Sequence, residues 1–257
     1  SHVCRPVLSK GIWRDLRVMH QIEPLLAARG ETATLFMLGT LAGQRRPHDV
    51  RQMEKRYGWP MHHEMGYPDL CQGEEVLGDI FEQFNRNHQA CQAVLVNQWD
   101  WNRQVCGDLM PEDMTLADIR IGTDVEFGMS VYEPFGISQF EPLAFGAICV
   151  VSNVCGCTGF ARSASKGKLN GNIIEANFCR LPSEMAIPEL LDLSIAQRDV
   201  IESQEAQRLA EIIDSRLPRG DDEIKKMIER GYGLARMMSW ERVVDDLFLP
   251  SLDRAAK

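Results

Sequence analysis

The sequence predicts an α/β fold: a parallel sheet covered by helices on both faces. Two observations carry this. Short runs of nearly continuous apolar residues, at 32–38, 93–97 and 147–152, read as strands buried on both faces. These runs alternate with amphipathic stretches of helical spacing, the pattern of βαβ units. One Rossmann-like unit over residues 3–187, followed by a helical extension over 188–257, is the economical organisation.

In order along the chain, 3–8 is short, apolar and strand-compatible, and stops at Ser9-Lys10-Gly11. Apolar residues at 12, 16, 19, 22, 25 and 26 predict a helix over 12–28, closed by Gly30. The strand at 32–38 ends at Gly39, and 42–69 reads as polar helix and loop. Val76, Leu77, Ile80, Phe81 and Phe84 share one face of a helix over 74–89. A strand at 93–97 follows; 114–121 is ambiguous; 125–131 reads as strand, 138–145 as a short helix, 147–152 and 172–177 as strands. Beyond Pro188 come three helices, at 190–216, 221–230 and 240–252, the last with an apolar stripe of Trp240, Val243, Val244, Leu247 and Phe248.

The 257 residues are 44% hydrophobic and 25% charged, an ordinary globular balance long enough to bury a core without staples. The net charge of -9 argues against a general nucleic-acid surface. No apolar run approaches the roughly 20 residues of a membrane-spanning helix. The N-terminus lacks the shape of a signal peptide and Ser1-His2 reads as a cloning scar, so the chain is expected in the cytoplasm. Eight cysteines in such a chain are not a secreted disulfide framework. Cys149, Cys155, Cys157 and Cys179 lack zinc spacing and have no histidine among them, so buried free thiols and no metal site are expected.

The chemistry concentrates in Tyr132-Glu133-Pro134-Phe135-Gly136-Ile137-Ser138-Gln139-Phe140-Glu141. Pro134 and Gly136 make a tight turn after a strand, and ligands of open α/β sheets bind at the carboxyl ends of strands. The helix starting near Ser138 would aim free N–H groups at a phosphate. Glu133 lies before that start and Glu141 about one turn inside it. Alone, two such glutamates read equally as surface residues at a helix start. With its surroundings, the segment 132–152 resembles the E-x7-E region of GT-B retaining glycosyltransferases, which include glycogen and starch synthases. The resemblance implies that Glu133 contacts the donor sugar, that Glu141 holds the ribose hydroxyls, and that backbone at Phe135, Gly136 and Ile137 faces the diphosphate or sugar.

Other segments agree with it. Arg5 and Lys10, an R-x4-K pair before Gly11, would in isolation be solvated cations. In the family an Arg and a Lys so placed neutralise the diphosphate leaving group, with no obligatory metal or other cofactor. Asn97-Gln98-Trp99-Asp100-Trp101 matches the loop beside the base, where Trp99 could stack on it or simply pack at the core edge. The family has a Gly-Gly-rich loop where this chain has Cys155-Gly156-Cys157. Ser239-Trp240-Glu241 resembles a segment whose helix crosses back to the N-terminal domain, so its stripe is read as packing surface.

The resemblance covers most of residues 3–254 but only half of a GT-B fold: the partner N-terminal Rossmann-like domain, with its acceptor site, is missing. The expected function is donor binding for transfer of a hexosyl, chiefly glucosyl, group from a UDP- or ADP-sugar to a glycan or small-molecule acceptor. The alternatives are a non-catalytic nucleotide-binding scaffold derived from a transferase, and an NDP-sugar epimerase or hydrolase on the same architecture.

Overall fold

The computed structural model describes residues 1–58, 62–66, 69–98, 100–181 and 185–256. Its first half runs β1 (His2–Val3), α1 (Ile12–Ala27), β2 (Ala33–Leu38), α2 (Pro47–Tyr57), α3 (Glu74–Asn87), β3 (Cys91–Val96), α4 (Arg103–Cys106) and α5 (Leu116–Ile121). The second half runs β4 (Val125–Gly128), a 3-10 helix (Ser138–Phe145), β5 (Ile148–Ser152), α6 (Gly156–Ala164) and β6 (Ile173–Ala176). It then closes with α7 (Ile187–Leu191), α8 (Ile195–Arg216), α9 (Asp221–Met237), α10 (Trp240–Val243) and α11 (Leu249–Ala255).

β1, β2 and β3 form one parallel sheet, with Val3 opposite Leu38 and Leu35 opposite Ala93. β4, β5 and β6 form another, with Phe127 opposite Val150 and Val150 opposite Ile174. The two abut where the Phe127 N–H donates to the Ser1 carbonyl at 2.8 Å. The spatial order is therefore β3-β2-β1-β4-β5-β6, and the winding reverses between β1 and β4. Crevices for ligands open at such reversals, outside the carboxyl ends of the strands.

Apolar strands build this arrangement as predicted. All five residues of β5 are buried, and burying its Ile and Val side chains contributes roughly 1.5–3 kcal/mol each. The apolar face of α1 joins them through Ile12, Leu16, Met19, Ile22 and Leu26, and α8 packs on α1 with Ala206, Leu209, Ala210 and Ile213 in the same core. On the outer side Glu202 of α8 accepts from Trp13 Nε1 at 2.8 Å and Arg14 Nε at 3.0 Å. At α9, Gly231 lets the helix approach the 138–145 segment closely; a Cβ there would lie 2.2 Å from the Leu143 carbonyl.

Several expectations need correction. His2 belongs to the fold: it is buried in β1 and its Nδ1 lies 2.5 Å from Asp15 Oδ2. The first strand ends at Val3 rather than Leu8, because Pro6 carries no N–H and the chain turns into a 3-10 helix at Leu8–Lys10. The strand from Val125 stops at Gly128. The ambiguous 114–121 stretch is helical from Leu116, started by a Thr115/Asp118 capping box. The 138–145 helix is 3-10, with Pro142 inside it removing an amide. Residues 190–216 divide into α7 and α8, the second capped by Ser194. The stripe near the C-terminus is largely exposed, Trp240 at 83% and Phe248 at 55%, with Val243 half-buried. No helix among the described residues is long and apolar enough to cross a membrane.

Candidate functional site

Because β1 and β4 are neighbours, the segments that leave their carboxyl ends meet. After β1 the chain passes Arg5 and turns at Leu8–Lys10 into Gly11, whose φ of +66° begins α1. A Cβ at Gly11 would stand 2.6 Å from the Met129 carbonyl, so glycine is needed there for both conformation and space. Two further contacts fasten the segments: Val131 N–H donates to Ser9 O at 2.8 Å, and Arg14 Nη1 donates to Met129 O at 3.0 Å. Lys10 Nζ consequently forms an ion pair with Glu133 Oε2 across 123 residues of sequence. Their side chains are 22% and 16% exposed, so the pair is shielded but still reached by solvent.

The turn beyond Glu133 is held by the start of α6. Gly156 N–H donates to Glu133 O at 3.2 Å and Cys157 N–H to Phe135 O at 2.9 Å. A Cβ at Gly156 would lie 1.9 Å from the Pro134 carbonyl, which explains the one glycine kept in the Cys-Gly-Cys turn. Gly136 has φ +86°. Phe135 and Ile137 are exposed at the rim, with Phe135 tilted against Phe160 at 5.6 Å between ring centroids.

Glu141 is 46% exposed, and its Oε2 accepts from Arg120 Nη2 at 2.5 Å. Arg120 is buried, with Nη1 3.0 Å from Oε2 of fully buried Glu126. Glu126 of β4 thus anchors Arg120, which in turn holds Glu141 at the surface. Sequence reasoning missed both. The usable signal was Thr115-x-x-Asp118, which marks a helix that would carry Arg120 on its last turn.

Arg5 is exposed and lines a cleft of about 530 Å³ with Gly39, Thr40, Gln98, Asp100 and Trp101. Trp101 is buried, and its Nε1 has no hydrogen-bond partner among the described residues; nor does Oε1 of Gln98. Trp99 lies outside the described residues. The structure therefore brings Lys10, Glu133 and the 135–137 turn together, places Arg5 in the cleft over β2 and β3, and places Glu141 on Arg120.

Below this cleft sits Glu74, the first residue of α3 and fully buried. It accepts from Thr40 Oγ1 and Leu41 N–H, both at 2.7 Å, from Arg45 Nη2 at 2.7 Å and from Cys71 N–H at 3.2 Å. Burial opposes ionisation, but these donors overcome it and hold the carboxyl at a pKa of about 2.

The fold recurs in known enzymes. Among solved structures, α,α-trehalose 6-phosphate synthase from Burkholderia multivorans matches 100% of this chain and 42% of its own, at TM-score 0.51 and 15% identity. A UDP-forming α,α-trehalose-phosphate synthase from Burkholderia vietnamiensis matches 99% and 44%, at TM-score 0.50 and 13% identity. The fold is one half of a GT-B fold. The chain spans less than half the length of either enzyme, and at these identities the likeness is one of fold. No protein-family model matches the sequence, and no curated protein matches it.

Chemically, the half-domain offers two cations at the carboxyl ends of its strands, one shielded carboxylate, and one half-exposed carboxylate held from behind. Among the described residues no cluster of three or more His, Cys, Asp or Glu could hold a metal ion.

Proposed function

We propose that this chain is the nucleotide-sugar donor-binding domain of a retaining, glycogen synthase-like glycosyltransferase of the cytoplasm. It would present a hexosyl donor, chiefly a UDP- or ADP-glucose, to a glycan or small-molecule acceptor bound by a second Rossmann-like domain. One observation carries the reading: Lys10 and Glu133 meet at the switch point between β1 and β4, where an α/β sheet binds ligands. The E-x7-E resemblance of 132–152 and the fold shared with a UDP-forming enzyme support it.

In this account the ammonium of Lys10 has three donors, so it can keep Glu133 and still donate to a phosphate oxygen. Arg5 supplies a second cation from the adjoining cleft. Together they stabilise the leaving diphosphate as charge builds on it, and no divalent metal or other cofactor is required in that role. Glu133 orients the sugar and stabilises its developing positive charge rather than attacking it. Glu141 turns its outer oxygen to the ribose hydroxyls while Arg120 holds the other, and the 135–137 turn faces the diphosphate. The 97–101 segment would lie beside the base, with Trp99 stacking on it.

Calorimetric titration with UDP, ADP and GDP tests this. Saturable binding of one nucleotide, weakened by Glu141→Ala, is expected. A folded chain that binds none of the three, or binds equally well without Glu141, overturns the reading.

A further inference from the structure

The Cys-Gly-Cys turn that replaces a glycine-rich loop has its own chemistry. Cys155 and Cys157 are buried, and their sulfurs lie 3.0 Å apart. They need to approach by only about 1 Å to reach the roughly 2.05 Å of a disulfide. Cys155 precedes α6 in extended conformation and Cys157 lies in its first turn. The cover over them is thin: Val154 and Gly156 on either side are exposed, as are Phe135 and Ile137 of the facing turn.

The two S–H groups also hold that turn. Cys155 Sγ lies 2.8 Å from Phe135 O and 3.0 Å from Gln139 Oε1, and Cys157 Sγ lies 3.4 Å from the same Gln139 oxygen. Gln139 is buried, and its amide nitrogen is engaged with Ser130 Oγ at 3.3 Å. Two thiol hydrogens therefore serve two carbonyl oxygens that belong to the segment between Glu133 and Glu141.

We infer that Cys155 and Cys157 form a reversible dithiol/disulfide couple whose oxidation loosens the 133–139 segment and weakens donor binding there; the second half of this rests on the function proposed above. With a hydroperoxide as oxidant, the Cys155 sulfur attacks the distal peroxide oxygen, the O–O bond breaks, and a sulfenic acid forms as one water or alcohol leaves. The Cys157 sulfur then attacks that sulfenic sulfur and expels water. Two thiols are oxidised, one peroxide is reduced, and both thiol protons leave in the released molecules. Phe135 O retains the Cys157 N–H, while Gln139 Oε1 loses its S–H donors inside the protein. Polarity favours Cys155 as the attacking group: hydrogen bonding from Cys157 lowers its pKa despite burial, whereas that of Cys157 is raised. The helix N-terminus adds to this bias.

The test treats the full chain with hydrogen peroxide, then dithiothreitol. Peptide mass mapping should show loss of two hydrogens in the peptide holding residues 155 and 157, and their recovery on reduction. Amide exchange over 133–139 should be faster in the oxidised form, and its UDP affinity at least fivefold weaker. Cys157→Ser should abolish all three changes, with Cys179→Ser as the control that keeps them. Absence of the linked peptide overturns the couple. A linked peptide with unchanged exchange and unchanged UDP affinity overturns its effect on the turn. If the reduced chain binds no UDP, the donor-site reading falls, while mass and exchange still decide the couple.

Discussion

Two glutamates at the carboxyl edge of the sheet show how the same side chain can be spent in opposite ways. Glu74, over the β1–β3 half, is fully buried and satisfied by a hydroxyl, two backbone amides and a guanidinium. Glu141, over the β4–β6 half, is nearly half exposed and held from one side by Arg120. A saturated carboxylate has nothing left for a ligand, so Glu74 is a structural clamp joining the β2 exit to the start of α3. A carboxylate held from behind with an oxygen toward solvent is preorganised for a partner that arrives later. Lys10–Glu133 stands between these extremes, shielded but still reached by solvent.

That contrast predicts separable effects. Glu74→Ala removes the buried carboxylate to which Arg45, Thr40 and the Leu41 and Cys71 amides donate, and should cost about 4 kcal/mol of stability in urea unfolding. A loss below about 1 kcal/mol would mean that Glu74 is no clamp. Arg120→Ala leaves Glu126 buried without its cation; about 3 kcal/mol is expected by the same measurement, and this is the one change that should also disturb Glu141.

Acid unfolding tests the Glu74 clamp through its titration. Glu74 has a folded pKa of about 2 against an ordinary 4.5, so its contribution is complete above pH 4.5 and disappears as pH falls from 4.5 towards 2. A depression of that size is worth up to about 3 kcal/mol. Stability of the wild type measured down that range should therefore fall more steeply than that of Glu74→Gln; parallel profiles would remove the clamp. Glu141→Ala should change stability by less than about 0.5 kcal/mol, as an exposed ion pair does, while weakening UDP binding roughly tenfold. Equal losses of stability and affinity would erase the distinction between the two sites.

The parts of this molecule legible in its sequence are those where one physical signal dominates. The apolar strands β2, β3 and β5 and the 3.6-residue face of α1 follow directly from burial, and the parallel α/β class follows from their alternation. Legibility failed where two elements had to meet. Glu74 at a predicted helix start reads as a residue suited to the helix dipole, and nothing local shows that Thr40 and Arg45 close over it. Arg120 and Glu126 are six positions apart in different elements, and their pairing depends on how α5 lies against β4. Shorter-range misreadings came from prolines: Pro6 ends the first strand early, and Pro142 turns a helix start into a 3-10 segment. Lys10 and Glu133 each stand out in the sequence, but their contact depends on β1 and β4 being neighbours, which composition and periodicity do not encode.

The central claim, that the β1/β4 switch point binds a nucleoside diphosphate sugar, is tested most directly by UDP-glucose calorimetry of the wild type beside Lys10→Ala, with thermal unfolding of both. Saturable binding by the wild type is expected, with an affinity at least tenfold weaker without the Lys10 ammonium and unfolding temperatures within about 3 °C of each other. Equal affinities in two equally folded proteins would contradict it.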